Sequence, residues 1–227
     1  LTLRYPANGD RRHRSLDSHP KESLVVRAGE WDTSSRDPVY AHQDRGVLRL
    51  LTHEKFRADT LFNDVALLKL TQPVETAPHI NTLCLPSADD YYIDYSDCMA
   101  TGWGQESFDN TDYPSILKEV RLSKVDQGQC QSRMRETRLG RWFRLHDTFL
   151  CAGGHPGVDT CKGDGGSPLV CRDHSKREET HVQIGIVAWG INCGRGGMPG
   201  VYADVIKLLP WIQEKLALLT AGPSAGY

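Results

Sequence analysis

Cys161-Lys162-Gly163-Asp164-Gly165-Gly166-Ser167-Pro168-Leu169-Val170-Cys171 is the stretch on which the reading of this chain turns. Two cysteines bracket a turn that carries three glycines, one aspartate and one proline, then an apolar pair. Glycine reaches backbone angles that a side chain forbids, so successive N–H groups can converge on one point. Such a turn can act as an oxyanion hole, where donors meet the charge that develops during acyl transfer. Residues 169–171 read as a short strand leaving the turn.

On both sides of this turn the chain divides into short apolar runs separated by Gly and Pro. Residues 24–28 form a strand candidate that ends in a turn at Gly29-Glu30 before Trp31-Asp32-Thr33. Further strands are expected at 47–53, 65–70, 98–103, 117–122, 148–152, 182–189 and 200–204. This spacing predicts an all-β sandwich or barrel. Only residues 205–216 show three- and four-residue apolar spacing, which predicts a helix with Pro210 near its start. Residues 1–23 are polar and basic without an apolar face and read as loop or disorder. The centre holds a loop with Cys84, Pro86 and an acidic, tyrosine-rich cluster at 89–97. No repeat of fixed period and no low-complexity segment is found.

The 227 residues suffice for one large domain or two small lobes. Hydrophobic residues are 39% and charged residues 25%, and Lys+Arg 27 against Asp+Glu 29 leaves a net charge of −2. That balance gives no general support for a nucleic-acid or anionic-membrane partner, although residues 133–144 are locally basic. No eighteen-residue apolar run is present, so no membrane span is expected. The chain starts at Leu1 without a signal peptide, which we read as a processed chain or a fragment. Seven cysteines with no Cys-x-x-Cys pair favour an oxidising compartment over a metal site, so neither metal nor cofactor is expected. Three disulfides would leave one cysteine over.

With the neighbouring motifs, the Cys161-to-Cys171 loop resembles the nucleophile loop of the trypsin-like serine proteases. Val26-Arg27-Ala28-Gly29-Glu30-Trp31-Asp32 is similar to the strand and turn that follow the catalytic histidine of that family. Phe62-Asn63-Asp64-Val65-Ala66-Leu67-Leu68-Lys69-Leu70 resembles the segment of the triad aspartate, which places Asp64 in that role. Thr101-Gly102-Trp103-Gly104, Val187-Ala188-Trp189-Gly190 and Pro199-Gly200-Val201-Tyr202 match further family segments, the last two forming walls of a specificity pocket. The resemblance spans about residues 24–217, leaving 1–23 as an unmatched segment and 218–227 as a tail. It implies two six-stranded Greek-key β-barrels and a C-terminal helix.

The family reads Gly-Asp-Ser-Gly-Gly-Pro where this chain has Gly163-Asp164-Gly165-Gly166-Ser167-Pro168, so Gly165 takes the place of the nucleophilic serine. The family's histidine stands in Ala-Ala-His-Cys, and no His-Cys pair occurs here. His13 and His19 lie in the unmatched segment and suit a solvated loop better than a general base. Ser167 lies two positions past Gly165, where a hydroxyl aims elsewhere. A triad needs nucleophile, base and orienting acid together, so the expected site is shaped but unarmed. Asp64 would be a vestigial acid, and the amides of Gly163 and Gly165 an oxyanion-hole-like pair. Asp164 in the family pairs with a new N-terminal amine, and the Ile-Val-Gly-Gly start that supplies it is missing from this chain.

The resemblance also puts Asp159 at the floor of the specificity pocket and Gly190 and Gly200 on its walls, which implies room for a basic side chain. Asn192 stands beside Cys193 where glycine is common and would narrow the entrance. It further implies the disulfides Cys98–Cys171, Cys130–Cys151 and Cys161–Cys193, with Cys84 left as a tether for an N-terminal segment. The pair flanking the family's histidine is missing together with the first strands, so the first barrel is expected to be incomplete. Residues 1–23 would then be foreign to the fold.

Loss of the nucleophile is similar to the arthropod serine protease homologues, many of which carry a clip domain. That resemblance implies a secreted pseudoprotease that binds a protein partner, such as a cascade protease or prophenoloxidase, in an innate immune cascade. The alternatives are a trypsin-like endopeptidase with a truncated or misassembled sequence, and an adhesive or recognition module.

Overall fold

A computed structural model describes residues 20–35, 39–87, 95–106, 112–176, 180–194 and 196–220. A single 3-10 turn at Lys21–Ser23 leads into a three-stranded antiparallel sheet of β1 (Val25–Ala28), β2 (Gln43–Thr52) and β3 (Ala66–Leu70). β2 starts earlier than its apolar run because polar residues pair across the ladder: Arg27 lies opposite Asp44 and makes a two-pronged bond, Nε to Oδ1 at 2.7 Å and Nη2 to Oδ2 at 2.8 Å. Both side chains are near half exposed, so the pair fixes register more than it adds stability. Val26, Val47, Val65 and Ile80 are buried apolar residues of this lobe among those described.

A seven-stranded antiparallel sheet forms the second lobe. Its strands are β4 (Ser96–Gly102), β5 (Lys118–Leu122), β6 (Lys124–Val125), β7 (Phe149–Ala152), β8 (Pro168–Arg172), β9 (His181–Trp189) and β10 (Gly200–Asp204). Their spatial order is β5-β4-β8-β9-β10-β7-β6. Inward side chains of β4, β8, β9 and β10, among them Cys98, Leu169, Ile184 and Tyr202, make the main core. Disulfides join Cys98 to Cys171, Cys130 to Cys151 and Cys161 to Cys193, while Cys84 is free and exposed. The two sheets and the terminal helix are those of a trypsin-like fold. The first lobe is three strands among the described residues, not six.

The end of the chain is helical over α2 (Val205–Thr220). Asp204 starts it, its carboxylate accepting the N–H groups of Ile206 at 3.0 Å and Lys207 at 3.1 Å. Pro210 lies inside the helix rather than at its first turn. α2 packs Val205, Leu208, Trp211 and Ile212 against Val65 and Leu67 of the first lobe and Ile186 and Ala203 of the second. It therefore clamps the two sheets together.

The second helix, α1 (Gln127–Arg135), corrects the expectation that only the C-terminus is helical. Its apolar content is too low for a periodic stripe: Cys130 and Met134 alone are buried, one turn apart. The Asp126 carboxylate caps it by accepting the Gln129 N–H at 3.0 Å, and the Cys130–Cys151 bond ties it to β7.

Candidate functional site

The Cys161-to-Cys171 loop is built on two successive turns: Asp164 N–H donates to the Cys161 carbonyl at 3.1 Å and Ser167 N–H to the Asp164 carbonyl at 2.9 Å. It then joins β9 through Gly166 N–H to the Val187 carbonyl and Val187 N–H to the Ser167 carbonyl. Asp164 is buried, and its carboxylate accepts the backbone N–H of Gly104 at 2.8 Å and of Cys161 at 2.9 Å. Burial pushes its pKa up while the two amides pull it down. These amides are how Asp164 is satisfied here.

The same contact explains the Gly-Trp-Gly segment. A Cβ on Gly102 would stand 2.1 Å from the Asp164 Oδ1, and one on Gly104 would stand 2.4 Å from it. Only glycine leaves room for the carboxylate at these two places. Gln105 N–H to the Lys162 carbonyl, at 2.8 Å, closes a second tie between the two segments. Motifs about sixty residues apart in sequence thus form one unit, with Asp164 at its centre.

Gly165 is on the outer side of this unit. It is exposed, and a Cβ added there meets nothing within 4 Å. The N–H groups of Gly163 and Gly165 have no acceptor among the described residues. Gly163 holds φ of 99°, which a side chain rarely adopts, and a Cβ there would meet the Tyr113 ring at 2.7 Å. Ser167 points the other way: it is fully buried, its hydroxyl has no partner among the described residues, and it lies 3.2 Å from where Gly102 would carry a Cβ.

Asp159 is a largely enclosed carboxylate near Asp164. Its Oδ2 accepts the Gly194 N–H at 3.2 Å, and its Oδ1 has no partner among the described residues. Burial raises its pKa to about 6 against the pull of the Gly194 and Thr160 amides, and the nearby Asp164 adds to the rise. Gly200 and Gly153 face it, with added Cβ atoms falling 3.0 Å and 3.9 Å from Oδ1, and Gly190 opens onto free space. A carboxylate with one oxygen unpaired among the described residues could pair with a cationic group. Asn192 is exposed and takes φ of 54°, a backbone position that glycine or asparagine tolerates best.

Asp64 is half-buried on the first lobe, between Asn63 at φ of 55° and the buried Val65 that leads into β3. Five histidines among the described residues make contacts of their own. His53 stacks on Trp211 with ring centroids 4.9 Å apart, and His146 stacks on Phe62 at 3.9 Å. His42 faces Glu30, His79 bonds the Ala41 carbonyl, and His174 meets Ser96 and Asp97. His13 and His19 lie outside the described residues. Cys84, beside β9, accepts the Gln183 N–H on its carbonyl at 2.9 Å and leaves its thiol unbonded.

The trypsin family profile matches residues 15–212. The chain belongs to the trypsin family. It is 49% identical over 197 residues to phenoloxidase-activating factor 2 of Galleria mellonella, covering 86% of this chain and 65% of the relative. Two proteins of Anopheles gambiae, inactive CLIP domain-containing serine proteases A8 and A28, are 40% and 39% identical over 196 residues each, 86% of this chain in both cases. The chain spans 53% of the first and 50% of the second, so it corresponds to about half to two thirds of these relatives.

Proposed function

We propose that this chain is the protease-like part of a secreted, non-catalytic serine protease homologue. It acts as a binding partner in an extracellular proteolytic cascade of the prophenoloxidase type. The observation that carries this reading is Gly165: the place where the family keeps its nucleophile is exposed, unobstructed and without a side chain. Losing the nucleophile from a triad costs about a million-fold in turnover. Asp64 is then a vestigial acid, and the Gly163 and Gly165 amides are an oxyanion-hole-like pair without a reaction to serve. Asp159, Gly190 and Gly200 hold a basic side chain of the partner, and Cys84 tethers an N-terminal clip segment. Residues 24–217 form the protease-like domain. The relatives named inactive, and the one named a phenoloxidase-activating factor, support the same role.

The test treats the purified, disulfide-intact chain with a fluorophosphonate probe and an arginyl chromogenic substrate, beside trypsin. The same chain is then added to prophenoloxidase and its activating protease. A cooperative thermal transition, no label, hydrolysis no faster than a heat-denatured control, and a higher phenoloxidase yield are expected. Labelling of Ser167 or any other serine would restore the enzyme. An unchanged phenoloxidase yield from folded protein would end the cascade role.

A further inference from the structure

The segment from the end of α1 to β7 holds a feature the protease-like site does not use. Residues 133–144 contain five arginines and one carboxylate, Glu136. The loop after α1 is ordered by its own bonds. Thr137 Oγ1 donates to the Met134 carbonyl at 2.6 Å, Phe143 N–H to the Gly140 carbonyl at 3.0 Å, and Arg135 Nε to the Phe143 carbonyl at 2.9 Å. Leu139 and Phe143 pack its underside on the core around Met134, Leu145 and Phe149. What the loop presents outward is therefore fixed by its apolar face and hydrogen bonds.

Outward stand Arg138, Arg141, Trp142 and Arg144, all exposed, with Trp142 81% exposed. The Arg141 guanidinium carbon lies 4.9 Å from the Trp142 ring centroid, over its face. None of Arg138, Arg141 and Arg144 meets a carboxylate among the described residues. An ordered loop that exposes a tryptophan and three guanidiniums unpaired among the described residues has the make-up of an interface hot spot. Phe143 also meets Trp189 edge-on at 6.1 Å, so the loop adjoins the wall that leads to Gly190 and the Asp159 pocket.

We propose that this loop docks an acidic segment of a protein partner. Carboxylates of the segment pair with Arg138, Arg141 and Arg144, and one of its apolar side chains covers Trp142. Guanidinium forks match carboxylates two-pronged, and the ring supplies an apolar contact that a sulfated glycan or nucleic-acid backbone would not use. The chain's net charge of −2 gives no general electrostatic support for a long polyanion. The proposal deepens the binding role given above.

The probe is a fluorescein-labelled peptide of glutamates around a central leucine, followed by anisotropy on the 227-residue chain at about 50 and about 300 mM salt. Saturable binding that weakens with salt is expected, with none to the matching lysine peptide. Arg138→Ala/Arg141→Ala/Arg144→Ala should lose about tenfold or more in affinity, and Trp142→Ala about threefold. Both variants should melt as the parent does, because the side chains removed are exposed. Equal affinity in the triple variant, or no binding by the parent, would overturn the proposal. So would heparin binding through the same arginines while the peptide is ignored. No protease or prophenoloxidase is present, so failure here leaves the cascade assay unaffected, and the reverse holds as well.

Discussion

At the scale of single residues, the glycines of this chain divide by what surrounds them. Gly104→Ala forces a methyl group to 2.4 Å from the Asp164 carboxylate, whose position the Gly104 and Cys161 amides fix. It should cost about 3 kcal/mol by denaturant unfolding, the range of overpacked cores. Gly165→Ser enters open space and should leave the unfolding midpoint within the scatter of repeats. It should also leave hydrolysis of arginyl substrates at the parent level, since a nucleophile alone lacks a base. Turnover in that variant would reveal a base the sequence does not display.

Asp159 sets the pH dependence. Its folded pKa of about 6 lies above the unfolded 3.8, so its contribution to stability is complete below the unfolded value and is lost as pH rises through about 6. The gap is worth ~3 kcal/mol at most. Asp164 and Asp204, raised by burial, act in the same direction. The melting temperature should fall between mildly acid and neutral pH, and Asp159→Asn should flatten that fall. Binding of p-aminobenzamidine should strengthen as pH rises through about 6, when the carboxylate ionises, and should vanish in Asp159→Asn. Fluorescence titration reads both, and pH-independent binding would remove Asp159 from the pocket floor.

At the scale of elements, α1 and α2 are held by different means. α1 has no apolar stripe and depends on the Asp126 cap and the Cys130–Cys151 bond, which spans 21 residues. Replacing both cysteines with alanine should cost ~3 kcal/mol by the loop-closure relation. Hydrogen exchange should speed up in α1 before it does in β9. α2 depends on Trp211, which is buried, stacks on His53 and donates its Nε1–H to Glu54 at 2.7 Å. Trp211→Ala should cost about 3–5 kcal/mol, as large-to-small core changes do. Because the helix clamps both sheets, the loss should appear as earlier exposure of β3, read by exchange.

At the scale of the molecule, the strand order and the site show what a sequence carries. Strand candidates at 24–28, 65–70, 98–103, 117–122, 148–152, 169–171, 182–189 and 200–204 became β1, β3, β4, β5, β7, β8, β9 and β10 with ends shifted by one or two residues. Local alternation and Gly/Pro turns act within a few residues, so they are readable without the fold. The start of β2 was not, because Gln43, Asp44 and Arg45 are polar and join the strand only by pairing with β1. α1 was hidden for a similar reason, since a disulfide partner and a cap do the work of an apolar face.

What the sequence determined by itself is chemical: which residue types stand in the Cys161-to-Cys171 loop, that Gly165 carries no side chain, and that no histidine precedes a cysteine. Identity is local, and no packing alters it. What only the tertiary structure decided is how distant pieces share space. Asp164 is satisfied by an amide sixty residues away, the glycines at 102 and 104 make room for it, and one buried oxygen of Asp159 has no partner among the described residues. Burial and hydrogen-bond satisfaction belong to surfaces brought together, and those surfaces exist only once the sheets and α2 have closed on one another.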